Sequence, residues 1–164
     1  MKVYGVRLAM GAVVATALWI QVHAQAPLRG TGSHSIDGPV RVIEGDTLEV
    51  RIEGRRVGVL VAGITAPHAN TPCGQQAAAA LQALVESGVV LHEDLGLPTF
   101  DQRLLRIYRV FDPAGRLVAE ELARAGLVLP AEMVGSAVDR AVIAAAAAEA
   151  AASRRGCATR SSSP

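Results

Sequence analysis

The sequence predicts an α+β domain that is mainly β: a five-stranded OB-type barrel with about three helices. Three observations carry this. Residues 40–62 hold three strand patterns joined by two tight turns. Residues 74–86 switch to a helical period, and two more strand patterns follow. Two further helical stretches close the chain, the second rich in alanine.

The first segment reads as a targeting signal. Lys2 and Arg7 precede an apolar run of 13 residues, Leu8 to Ile20, and Ala24-Gln25-Ala26 then forms an A-x-A cleavage pattern. The run is shorter than the roughly 20 residues of a membrane-spanning helix. Residues 1–26 are therefore expected to be a signal peptide, cut after Ala26 or Ala24. No stable membrane span is expected after cleavage, and the location is expected to be periplasmic or secreted. The 138 residues from 27 to 164 suffice for one domain with its own core. Within them, residues 27–39, rich in Gly, Ser and Pro, read as a flexible leader. The folded domain is expected over 40–156, with a tail over 157–164.

Each element has its own signal. Val40, Val42 and Glu44 alternate with Arg41 and Ile43, and Gly45-Asp46 turns the chain. Leu48, Val50 and Ile52 alternate with Glu49, Arg51 and Glu53, an amphipathic strand that ends at Gly54. The run Val57 to Ala62 is almost wholly apolar, as for a strand covered on both faces. Ala77, Ala80, Leu81, Leu84 and Val85 recur at helical steps, and Gly88 ends that helix. Strands follow over Val89–His92 and Leu104–Phe111, and Asp112-Pro113-Ala114-Gly115 is a turn. Leu117–Ala125 predicts a short helix closed by Gly126, and Ala137–Arg155 a long one of high propensity.

Charge argues against a general nucleic-acid binder. Without residues 1–26 the chain has 14 arginines, no lysine and 15 carboxylates, a net charge of −1. Such binders show a positive excess or a basic face. Arg51, Arg55 and Arg56 cluster, which reads as a solvated hairpin tip. Cys73 and Cys157 are the two cysteines, so one intrachain bridge is available; free thiols or an intermolecular bridge are the alternatives. Closing a loop of 84 residues would contribute about 4 kcal/mol in the chain-entropy model.

Several segments, in order, resemble the staphylococcal-nuclease-like (thermonuclease) family, from about Val40 to Gly156. Glu44-Gly45-Asp46-Thr47-Leu48 stands where the family has DGDT, and Gly63-Ile64-Thr65-Ala66-Pro67-His68 where it has GIDAPE. Cys73-Gly74-Gln75-Gln76-Ala77 is similar to its helix start, and Thr99-Phe100-Asp101-Gln102-Arg103-Leu104-Leu105 to its D-x-Y-G-R-x-L strand, with Asp101-Gln102 where the family has Tyr-Gly. Glu121-Leu122 with Gly126-Leu127, and the alanine-rich last helix ending at Arg154-Arg155-Gly156, complete the likeness.

The resemblance implies calcium-dependent hydrolysis of DNA or RNA. That chemistry needs two carboxylates and a backbone carbonyl on calcium, a general-base Glu, and two Arg on the phosphate. The carboxylate positions fall on Asp46, which is present, and on Thr65. The carbonyl falls on Ala66, the base on His68, and the Arg positions on Leu60 and Arg103. His68 can replace the base near neutral pH or be a surface histidine. Asp46 alone can be a turn residue, and Arg103 an ordinary strand residue. The aromatics beyond residue 26 are Phe100, Tyr108 and Phe111; Tyr108 and Phe111 read as core, which leaves few surfaces for stacking a base.

The sequence thus predicts an exported thermonuclease-like domain that is catalytically inactive and acts as a binding or structural module for a protein partner. The alternative is a weak calcium-dependent endonuclease or phosphodiesterase that uses Asp46, Arg103 and His68. No cofactor is expected, or calcium if the residual site works; nucleic acid is the weaker partner.

Overall fold

The computed structural model describes residues 32–131 and 136–158. The signal segment 1–26 with its cleavage sites, the start of the leader and most of the tail lie outside the described residues. The strands are β1 (His34–Asp37), β2 (Arg41–Glu44), β3 (Thr47–Ile52), β4 (Arg55–Val61), β5 (Ile64–Thr65), β6 (Gly88–His92), β7 (Arg106–Phe111) and β8 (Leu129–Pro130). The helices are α1 (Pro72–Val85), α2 (Val118–Arg124) and α3 (Ala137–Ala152). The class is α+β, mainly sheet, with three helices among the described residues.

The main sheet has six strands in the order β1-β6-β7-β4-β3-β2, and β5 pairs with β8 in a separate ribbon. Two-residue turns join β2 to β3 and β3 to β4. The register slips between Val42 and Glu44, and Ile43 in the slip is exposed. β4 and β7 are parallel, with Leu60 beside Ile107, and the other pairs in the sheet are antiparallel.

Ladder hydrogen bonds leave β1 and β2 as the two edges, so the expected five-stranded ring is not formed by pairing. The sheet is nonetheless curled. Edge strands of a flat six-stranded sheet would lie about 24 Å apart. Only Gly38, Pro39 and Val40 connect β1 to β2, and that link reaches at most about 15 Å. The curl brings β1 against β3.

Three strands escape the sequence patterns. β1 lies within residues 27–39, which read as a flexible leader; residues 34–37 pair with β6 instead, because β6 offers an unpaired edge. β5 and β8 span two residues each, too short for any periodicity. β7 begins at Arg106 rather than Leu104, whose φ of 62° interrupts an extended run. Asp101 holds that bend, accepting from the backbone N–H of Arg103 (2.9 Å) and of Leu105 (2.8 Å).

The core lies inside the curl. Leu48, Val50 and Ile52 of β3 point into it, as do Val59 and Val61 of β4. Helix α1 closes one side with Ala77, Leu81 and Val85, one face at four-residue spacing. The Thr71 hydroxyl caps it, accepting from Gly74 N–H at 3.0 Å, and Pro72 occupies the first turn. α2 and α3 pack on each other through Leu122, Ala123, Ile143 and Ala146.

After α3 the chain returns to Gly126. The Gly126 carbonyl accepts from the N–H of Cys157 and of Ala158, both at 3.0 Å. Gly126 and Gly156 both have positive φ, and a Cβ on either would stand 2.1 Å from the other segment's backbone oxygen. Cys73 in the first turn of α1 is bonded to Cys157, with the Cα atoms 5.7 Å apart. The bridge ties the C-terminal segment to the start of α1. Among the described residues no helix is long and apolar enough to cross a membrane.

Candidate functional site

The turn between β2 and β3 positions Asp46. Gly45 is pressed against α1: a Cβ there would lie 2.5 Å from Ala77 Cβ, so the turn seats close only as glycine. Asp46 is 7% exposed. Its Oδ1 accepts from the Thr47 hydroxyl at 2.9 Å and its Oδ2 from Ala66 N–H at 2.8 Å. Its carbonyl accepts from Val61 N–H at 2.9 Å. Asp46 therefore clips the β2–β3 turn to β4 and to the segment after β5.

A cavity of about 290 Å³ opens beside it, lined by Asp46, Leu60, Ile64, Thr65, Ile107 and Arg103 among others. Four of the six sequence-selected site positions thus meet: Asp46, Leu60, Thr65 and Arg103. His68 is exposed and does not line the cavity. Its carbonyl instead accepts from the N–H (2.9 Å) and hydroxyl (2.7 Å) of Thr71 at the start of α1. Ala66 contributes its N–H to Asp46. The walls are mainly apolar, because Leu60 faces the space from β4 and Ile107 flanks it on β7.

Arg103 is held by carboxylates. Its Nη1 donates to Glu44 Oε2 at 3.1 Å, its Nε to Asp101 Oδ2 at 3.2 Å, and its Nη2 to the Thr47 hydroxyl at 3.4 Å. Partial burial opposes the charged guanidinium, but the hydrogen bonds to Glu44 and Asp101 and the charges of Asp101 and Asp46 outweigh it. The pKa of Arg103 stands above the usual arginine value. Arg103 is fully charged and already neutralised by its neighbours. Glu44 and Asp101 were not singled out as functional residues, although Asp101 two residues before Arg103 is a spacing that invites a local pair.

The cavity offers few of the ligands that calcium takes. Calcium takes about six to eight oxygen ligands, with affinity rising with carboxylate count. Asp46 is the one carboxylate lining the cavity, and Thr65 supplies a neutral hydroxyl. Among the described residues no three His, Cys, Asp or Glu side chains gather to hold a metal.

The aromatics offer little for base stacking. Tyr108 is buried, Phe111 packs on the core beside His92 and Arg109, and Phe100 is partly exposed under the Arg106 guanidinium. Arg51, Arg55 and Arg56 are exposed around the β3–β4 turn.

Set beside models of known protein families, the chain matches none, and it matches no curated protein either.

Proposed function

We propose that this chain is a thermonuclease-like domain whose catalytic centre no longer hydrolyses phosphodiesters, and that it serves as an exported binding module, periplasmic or secreted, for a protein partner. The observation that carries this is the state of Arg103. Its guanidinium is engaged by Glu44 and Asp101, beside a cavity where the family's other Arg position falls on Leu60. A phosphate arriving there would meet Glu44, Asp46 and Asp101 against one arginine.

An OB-type barrel is the proposed architecture. Its support is the three-residue link between the edge strands and the approach of β1 to β3. β1 and β2 are then two halves of one bent strand that faces both ends of the sheet.

The test is digestion of single-stranded DNA and of RNA by the full chain, with calcium and with chelator. A parallel variant carries Leu60→Arg, Thr65→Asp and His68→Glu. The natural chain is expected to leave both substrates intact and the variant to cut with calcium, since each restored group contributes about a hundredfold or more. Metal-dependent cleavage by the natural chain that Asp46→Ala abolishes would refute the proposal in favour of a working phosphodiesterase.

A further inference from the structure

Asp46 is a buried carboxylate that makes no direct salt bridge among the described residues; the Thr47 hydroxyl stands between it and Arg103, the cation on the same cavity wall. Its two hydrogen bonds leave about half of its acceptor capacity free. Buried charges are normally balanced, and here Asp46 shares one arginine with Glu44 and Asp101, so the cavity has room for a second cation. Around it the balance of charge is negative: Glu44, Asp46 and Asp101 against Arg103. A phosphate or carboxylate ligand would be repelled.

The walls select the rest of the ligand. Leu60, Ile64 and Ile107 suit an aliphatic stem, as lysine and arginine carry below their charged heads. A volume of about 290 Å³ holds one long side chain rather than a folded ligand. The surroundings point to a macromolecule around that side chain. Leu104, the chain neighbour of Arg103, is 80% exposed and held at a φ of 62°, uncommon for a leucine. Phe100 is 44% exposed, and Leu129, paired with Thr65 across the β5–β8 ribbon, is 38% exposed. Exposed apolar side chains grouped around an apolar cavity mark a protein contact.

We propose that this cavity receives the cationic side chain, lysine or arginine, of an apolar segment of a protein partner. The Asp46 carboxylate accepts from the charged head, and the flanking apolar residues rest on Leu104, Phe100 and Leu129. This rests on reading the chain as a binding module and names the partner's chemistry.

The experiment titrates the ¹⁵N-labelled full chain with three blocked peptides: Ser-Leu-Lys-Leu-Ser and its counterparts with norleucine or glutamate at the centre. n-Butylammonium alone is the fourth probe. The lysine peptide is expected to bind at least tenfold more tightly than the other three, shifting the amide resonances of Thr47, Thr65 and Ala66. Leu60→Arg, which puts a guanidinium into the cavity, and Asp46→Asn should each remove that preference. Should Asp46→Asn not fold, judged by its thermal melt, Leu60→Arg alone carries the comparison. No binding by the lysine peptide, or equal binding by its norleucine or glutamate counterpart, overturns the assignment. Equal binding by n-butylammonium overturns the protein source, leaving a small amine as the ligand. Calcium-dependent cleavage in the separate digestion refutes the non-catalytic reading without touching the peptide result.

Discussion

Breaking the Cys73–Cys157 bridge should cost this domain a large share of its stability. The bond joins residues 84 apart in sequence. In the chain-entropy model, freeing a loop of that length returns about 15 cal/mol/K to the unfolded chain, or about 4 to 5 kcal/mol at 25 °C. A domain of roughly 120 ordered residues has an unfolding entropy of about 0.25 kcal/mol/K, so the melting temperature should fall by roughly 18 °C. The folded state should survive, because the Gly126 carbonyl still binds the N–H groups of Cys157 and Ala158. The assay is urea and thermal unfolding of the natural chain with and without reductant, beside the double variant Cys73→Ala, Cys157→Ala. Reductant and double substitution should give similar losses, and the urea m-value should rise as the unfolded chain expands. A loss below about 1.5 kcal/mol in both would refute the reasoning: either the bridge is not formed, or the unfolded chain is held compact by something else.

Two further perturbations test separate parts of the fold. Gly126→Ala should destabilise by at least about 2 kcal/mol, because the new Cβ would sit 2.1 Å from the Arg155 carbonyl oxygen at a positive φ; urea unfolding measures it, and a neutral result would mean that the C-terminal return is not docked there. Asp112 has its carboxyl pKa below the usual range: burial alone would raise it, but hydrogen bonds from the Arg116 backbone and side chain, with the Arg116 charge, outweigh that. A depressed folded pKa contributes stability above the unfolded value of about 4 and loses it as pH falls through the folded value. Asp112→Asn should therefore cost about 1 to 3 kcal/mol at pH 7 and progressively less below pH 4 in urea unfolding, and a cost independent of pH would exclude the charge as its source.

Much of the domain was legible because its strands are short and alternate cleanly. Leu48, Val50 and Ile52 declare which face of β3 is buried, and Ala77, Leu81 and Val85 do the same for α1. At the site, Asp46, Leu60, Thr65 and Arg103 were chosen from sequence and do line one cavity. His68 was chosen for its place in a motif and lies outside it, because the Thr71 cap draws its carbonyl toward α1. The grip of Glu44 on Arg103 crosses 59 residues, a distance at which sequence pattern is silent.

By itself the sequence determined the α+β class, the three helices and the buried faces, and it set Leu60, Thr65 and His68 at their positions. These follow from residue type and local period, which act within a turn or a strand. The tertiary structure decided the rest: that residues 34–37 become an edge strand, that Cys73 meets Cys157, and that Arg103 is neutralised by Glu44 and Asp101. It also left Asp46 as a buried carboxylate facing an apolar cavity. Each of these depends on which distant segments the curled sheet brings within a few ångströms, and that proximity is a property of the packed chain rather than of any stretch of it.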